Sequence, residues 1–161
     1  MSTSLSIVVI LTIVGAGLVG GVFFAFSTFI MQSFGDIPAE QGINAMNSIN
    51  VRIVRSAFMP AMFGTALLCV VLIVWSFRVW DQKFAIPMLL CAAVYLAGIV
   101  FLTMGYHVPL NNALAAVQDP ASADAAALWQ DYLKNWTRWN HVRTLAGLLP
   151  AAGLAVILWS N

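Results

Sequence analysis

Four long stretches of this chain carry almost no polar side chains, and the segments between them carry nearly all the polar ones. The apolar runs are Leu5–Ile30, Ala57–Phe77, Phe84–Tyr106 and Leu145–Trp159. A helix needs about 20 such residues to cross a hydrocarbon core about 30 Å thick. Hydrophobicity all round, rather than along one stripe, marks a helix that meets lipid or protein on every side. The pattern predicts spans at about 5–31, 53–78, 84–106 and 139–159 in a single domain, 1–161. The expected fold is all-α: an integral membrane bundle of four transmembrane helices, with short amphipathic helices outside the membrane on one face.

The polar segments refine this picture. Arg78 to Lys83 leaves room only for an antiparallel hairpin, and Trp75, Trp80 and Phe84 around it suit an interfacial aromatic belt. Asp36-Ile37-Pro38 opens a helix running towards Arg52 and Arg55, and Val108-Pro109-Leu110 is read as the end of the third span. Ser122 is placed as the N-cap of a helix that continues directly into span four. Both long connections then lie on one side of the membrane, with the short loop and both termini on the other.

The fourth apolar run is too short to cross lipid alone. It must borrow Asn140, His141, Val142, Arg143 and Thr144 from its N-terminal side, which draws a histidine and an arginine to membrane depth. Arg55 is drawn in more weakly at the start of span two. Ionisable groups there cost at least about 2.5–3.5 kcal/mol each unless paired or facing a cavity, so an inward position is expected. On the same helix Trp129, Tyr132, Trp136, Trp139/Asn140 and Arg143 recur at steps of three and four, forming one stripe. That stripe reads either as packing and interfacial anchoring or as the wall of a slot for a flat, partly polar molecule.

Composition agrees with a membrane setting. The chain is 61% hydrophobic and 8% charged, against roughly 25% charged for a soluble domain, and its mean hydropathy is +0.91. A net charge of +1 without a basic stripe excludes a nucleic-acid partner. The first apolar run has no Lys or Arg before it and exceeds a signal-peptide core of about 7–15 residues, so it is expected to be a retained span. Cys69 and Cys91 lie in apolar runs without metal-ligand spacing and read as small hydrophobes. Gly17 and Gly21 form a GxxxG pair, with Ala16 and Gly20 one register away. Such a face serves either packing inside the bundle or a homo-oligomer.

No P-loop, dinucleotide-binding, GxSxG or HExxH motif is present, and the carboxylates are scattered over loops and helix starts. The candidate chemistry gathers at one mouth of the bundle: Asn47, Asn50, Arg52, Arg55, His107, Asn111, Asn112, Arg138, Asn140, His141 and Arg143. His107 and His141 together suggest a haem or copper site, although no cofactor is the first expectation. Alternatively His141, flanked by Asn140 and Arg143, serves as a general base, or the rings serve structure alone by bonding helix-end carbonyls.

Four segments carry a family resemblance. They are Gly21-Val-Phe-Phe-Ala-Phe-Ser-Thr-Phe29, Ala45-Met-Asn-Ser-Ile-Asn-Val-Arg52, His107-Val-Pro-Leu-Asn-Asn112 and Trp136-Thr-Arg-Trp-Asn-His-Val-Arg143. In order and spacing the chain resembles the anthrone oxygenase-like family of small four-span membrane proteins. The family often has Asn at the position of His107, which counts against a metal site needing both histidines. The resemblance implies oxidation of a flat lipophilic phenol or anthrone by dioxygen without an evident cofactor. Trp136 and Trp139 would then stack on the substrate, His141 would take its proton, and Arg143, Arg52 and Asn140 would stabilise the resulting oxyanion. Asn47, Asn50, His107, Asn111 and Asn112 complete the expected substrate-binding set. A non-catalytic haem- or small-molecule-binding bundle and an accessory subunit of a membrane complex are the alternatives. The expected location is a bacterial inner membrane. If the mouth arginines are buried site residues, Arg78 and Lys83 become the basic flank and the termini are cytoplasmic.

Overall fold

The computed structural model describes residues 1–161 and is helical throughout, with no strand. Five helices follow one another: α1 (Thr3–Gly35), α2 (Ala39–Ile53), α3 (Phe58–Arg78), α4 (Ala85–Ala115) and α5 (Ala123–Trp159). All but α2 are long and apolar enough to cross a membrane. Their starts follow local chemistry. Ser2 Oγ accepts from Leu5 N at 3.4 Å, Ser56 Oγ from Phe58 N at 3.2 Å, and Ser122 Oγ from Ala125 N at 3.2 Å, each satisfying an orphan donor of a first turn.

Two boundaries differ from those read in the sequence. Span two begins at Phe58, because residues 54–57 turn between α2 and α3, so Arg55 is exposed in that turn and not drawn into the bilayer. The third helix runs straight through Pro109 to Ala115. Its π-helical turns, Leu96–Phe101 and Thr103–His107, shift the backbone ladder just ahead of Pro109. A ladder already out of α register can lose one N–H donor without breaking the helix.

The four spans form a ring in which α1 packs on α3 and α5, and α4 packs on the same two. The α1–α5 seam is the closest. A Cβ on Gly147 would lie 2.6 Å from Gly20 Cα and 3.2 Å from Ala16 O, so only glycine permits that approach. The internal small-residue face is therefore Ala16/Gly20. Gly17 and Gly21 meet nothing within 4 Å, and their face is open in the monomer. The main core runs through Leu5, Val19, Leu72, Met88, Ile99 and Leu154. At the loop end the Met1 amino group lies 3.4 Å from the Asn161 main-chain oxygen, so both termini share one face.

At the other end α5, 37 residues long, outruns the bilayer at 1.5 Å per residue. Its first turns pack with α2 and the end of α4 into a second, separate core that includes Ile43, Met46, Leu114, Trp129 and Trp136. This cap closes the bundle on that side. Gly147→Val should destabilise the protein by about 1–3 kcal/mol, read as earlier thermal unfolding in detergent, while Gly21→Ala leaves monomer unfolding unchanged.

Candidate functional site

Below the cap, a cleft of about 150 Å³ opens between α1, α2, α3, α4 and α5. Its walls are apolar and soft: Phe23, Phe26 and Phe58, with Met46, Met59, Met62 and Met104. Polar groups converge from three helices, namely Asn50 of α2, Thr103 and Asn111 of α4, and Arg143 of α5.

Arg143 is only 4% exposed. Its guanidinium carbon lies 4.2 Å from the centre of the Phe23 ring and 4.8 Å from that of Trp136. These faces attract a cation through the ring quadrupole. Nη2 donates to Asn140 Oδ1 at 2.7 Å, Nη1 lies 3.5 Å from Thr103 Oγ1, and Nε has no partner in the protein. No carboxylate lines the cleft. On the same helix Asp131 is about 18 Å away along the axis. Arg143 is thus a buried cation without a counter-ion.

Asn140 fixes that cation and is itself fixed by a closed circuit. Its Nδ2 donates to Phe23 O and to Ser27 Oγ, both at 2.7 Å. Thr144 Oγ1 donates to the Asn140 carbonyl at 3.0 Å, so the 3.1 Å contact between Ser27 and Thr144 is a bond given by Ser27. The Phe23 carbonyl lies just before the π-helical turn Phe26–Ile30, where the α1 ladder changes register and a carbonyl becomes available to a side chain.

A second chain of bonds crosses the roof of the cleft. Tyr132 Oη and Trp136 Nε1 donate to Asn111 Oδ1 at 2.8 and 3.2 Å, and Asn111 Nδ2 donates to Asn50 Oδ1 at 3.0 Å. Asn50 Nδ2 is left buried and unpartnered. The cleft therefore holds two unused donors, Asn50 Nδ2 and Arg143 Nε, and calls for a ligand that brings oxygen acceptors.

Of the residues expected at the site, Asn50, Asn111, Trp136 and Arg143 line the cleft and Asn140 supports it. The others do not. His141 follows Asn140 by one residue, and about 100° per residue carries it off the stripe; it is exposed in a groove with Gln32, Lys134 and Arg138. It cannot reach a substrate held at Arg143, so the general base assigned to it is withdrawn. Arg52 faces outwards with Arg55 in a separate groove on the far side of α2; Asn47 borders that groove too but is half-buried, its Oδ1 enclosed without a partner. Trp139 is 39% exposed against Tyr106, with its ring centre 5.3 Å away, and Asn112 is exposed on α4. His107 is fully buried behind Trp136, edge-on at 5.4 Å, with Nδ1 and Nε2 each 3.4 Å from a carbonyl, those of Leu102 and Trp136. A haem or copper site built on His107 and His141 does not fit, since one ring faces carbonyls and the other lies outside. No cluster of three His, Cys, Asp or Glu able to hold a metal exists.

Sequence reasoning missed Phe23, Ser27, Thr103 and the methionines. Ser27 and Thr103 had a readable signal, a hydroxyl inside an otherwise apolar span; Phe23 and Met46 lay in segments that carry the resemblance but were given no role, and Met59, Met62 and Met104 had no signal.

The fold and the cleft together define an integral membrane helical bundle with a buried cation in an aromatic pocket. A family model described as Anthrone oxygenase matches residues 54–154, and the chain belongs to that family. No curated protein and no solved structure matches it. Asn140→Ala, which strands the Arg143 donor and the Ser27 circuit, should cost about 1–3 kcal/mol in detergent unfolding. His141→Ala should leave the unfolding temperature unaltered.

Proposed function

We propose that the protein oxidises a flat, lipophilic phenolic ketone of the anthrone type with dioxygen, holding the substrate oxygen at Arg143. The observation that carries this reading is the uncompensated guanidinium. A buried cation among aromatic faces favours the enolate over the ketone, because the negative charge that develops on oxygen supplies the counter-ion the protein lacks. Asn50 Nδ2 offers a neutral donor to a second oxygen. Trp136, Phe23 and Phe26 bound the ring plane.

No carboxylate or imidazole lines the cleft, so the C–H proton passes to a water molecule beside the substrate. The enolate carbon forms a bond to dioxygen, the peroxide takes that proton back, and breaking of the O–O bond with loss of water across that carbon leaves a second carbonyl. Anthrone and O₂ thus give anthraquinone and water. The reading invokes no cofactor, and a Soret band in the purified protein would count against it. A free volume of about 150 Å³ is benzene-sized, so a three-ring substrate requires Met59, Met62 and Met104 to swing aside. Unbranched thioether side chains do this readily.

The exposed charges bear on orientation. Among the mouth arginines only Arg143 is buried, while Arg52, Arg55, Lys134 and Arg138 are exposed on the cap side, against Arg78 and Lys83 at the short loop. The premise that made the termini cytoplasmic therefore fails. In a bacterial inner membrane the positive-inside bias favours a cytoplasmic cap. A green fluorescent protein fused to the C-terminus should then stay dark, and an alkaline phosphatase fused there should be active.

Oxygen uptake by the protein in nanodiscs with anthrone tests the main reading. Wild type should exceed the autoxidation rate. Arg143→Met should lose about 10²–10³ in kcat and change the unfolding temperature little, since removal of a lone buried charge offsets the Asn140 Oδ1 left without a donor. His141→Ala should keep full activity. Uptake no faster than autoxidation in wild type removes the assignment.

A further inference from the structure

The cleft is covered by the cap and open on its flank towards lipid. On the water side the cap core stands over it, with Trp129 and Leu114 fully buried and the Asn50–Asn111–Tyr132 bonds strung across. On the flank the situation is reversed. Phe63 of α3 and Met104 of α4 line the cleft, yet they are 42% and 55% exposed, and both lie within membrane-crossing helices. Their outer surfaces therefore meet hydrocarbon. Val54, in the turn between α2 and α3 outside the span, also lines the cleft and is exposed, so the opening reaches from the hydrocarbon up to the membrane surface.

The helix packing explains the gap. α3 lies close along the Ala85–Tyr95 half of α4, touches the Leu96–Phe101 turn less, and makes no substantial contact with Thr103–His107 beyond it. The α1–α5 and α4–α5 seams persist on both sides of that level, because α5 continues into the cap against α1, α2 and the end of α4. The two π-helical turns fall where the α3–α4 seam opens. Wide turns of this kind recur at functional sites because they displace one side of a helix without ending it.

We propose that the cleft is loaded sideways from the bilayer, the substrate passing between Phe63 and Met104 to reach Arg143. This inference rests on reading the cleft as the site for a flat lipophilic ketone. It also goes further, making the substrate a molecule partitioned into the membrane rather than delivered through water. A neutral ketone crosses the apolar portal without desolvating a charge and becomes anionic only beside the guanidinium. Dioxygen, more soluble in hydrocarbon than in water, arrives by the same route. Phe63 and Met104 are held only by lipid on their outer side, so their rotation opens the portal without moving a helix, whereas a path through the cap would break its core.

Photolabelling of the wild-type protein in phosphatidylcholine nanodiscs tests this, using a phosphatidylcholine that carries a diazirine midway along one acyl chain. Met46 and Met62, both buried from the outside, should acquire adducts alongside outward-facing Leu67. A water-soluble diazirine should leave Met46 and Met62 unlabelled. Phe63→Trp with Met104→Trp should abolish the inner adducts and keep those on Leu67, which also reports that the variant is folded and inserted. Adducts confined to outward residues, or inner labelling by the aqueous reagent as strong as by the lipid, overturn the proposal. Added anthrone should suppress the inner adducts. Inner labelling that anthrone does not suppress upholds the portal and removes anthrone as the occupant.

Discussion

Arg143 sits among the helices of a membrane bundle with no acid beside it, and much of the structure around it follows from that placement. A charge there costs several kcal/mol unless the surroundings replace its hydration. Two aromatic faces and one amide oxygen do part of this. The amide belongs to Asn140, and Asn140 is held by Ser27, Thr144 and the Phe23 carbonyl. These partners come from α1 and α5, the two helices that pack closest because Gly20 and Gly147 let their backbones touch. The tight seam, the π-helical turn beside it and the fixed guanidinium are mechanically one unit. In the proposed reading a substrate anion supplies the remainder of the compensation, and the site selects a group that develops negative charge.

The cap has the complementary task. It buries a separate apolar core over the polar end of the cleft and suspends Asn50 and Asn111 in the roof through Tyr132 and Trp136. Water is thereby kept from the guanidinium, and a weak dielectric strengthens its pull on an oxyanion. The walls lower down are methionine and phenylalanine. Under the proposed function the polar roof sets the orientation of the substrate, and these soft walls set which ring systems are admitted.

Much of the fold was legible in the chain. Run lengths located the spans, the Arg78–Lys83 hairpin followed from its shortness, and Ser122 marked the start of a helix that continues through span four. The depth of Arg143 followed from arithmetic, since Leu145–Trp159 cannot cross lipid unaided. The stripe Trp129, Tyr132, Trp136, Asn140, Arg143 carried more than was taken from it. Its phase already excludes His141, about 100° beyond Asn140, but not Trp139, which only packing turned outwards. Arg52 misleads in the same way: Met46, Ile49, Asn50 and Ile53 form the inward face of α2, and Arg52 belongs to the opposite one.

By itself the chain determined which segments are helical, which cross the membrane, and that a cation enters with the last of them, because these depend on length and on the energy of moving groups out of water. Which way each helix turns was decided only by tertiary packing. In water an apolar stripe points to the core, but lipid is as apolar as the core, so a helix hydrophobic all round gives no clue to its inner side. Contacts between particular side chains settled it: Gly20 on Gly147 rather than Gly17 or Gly21, Asn140 in the Ser27 circuit with His141 outside, and α3 parting from α4 beyond Leu96.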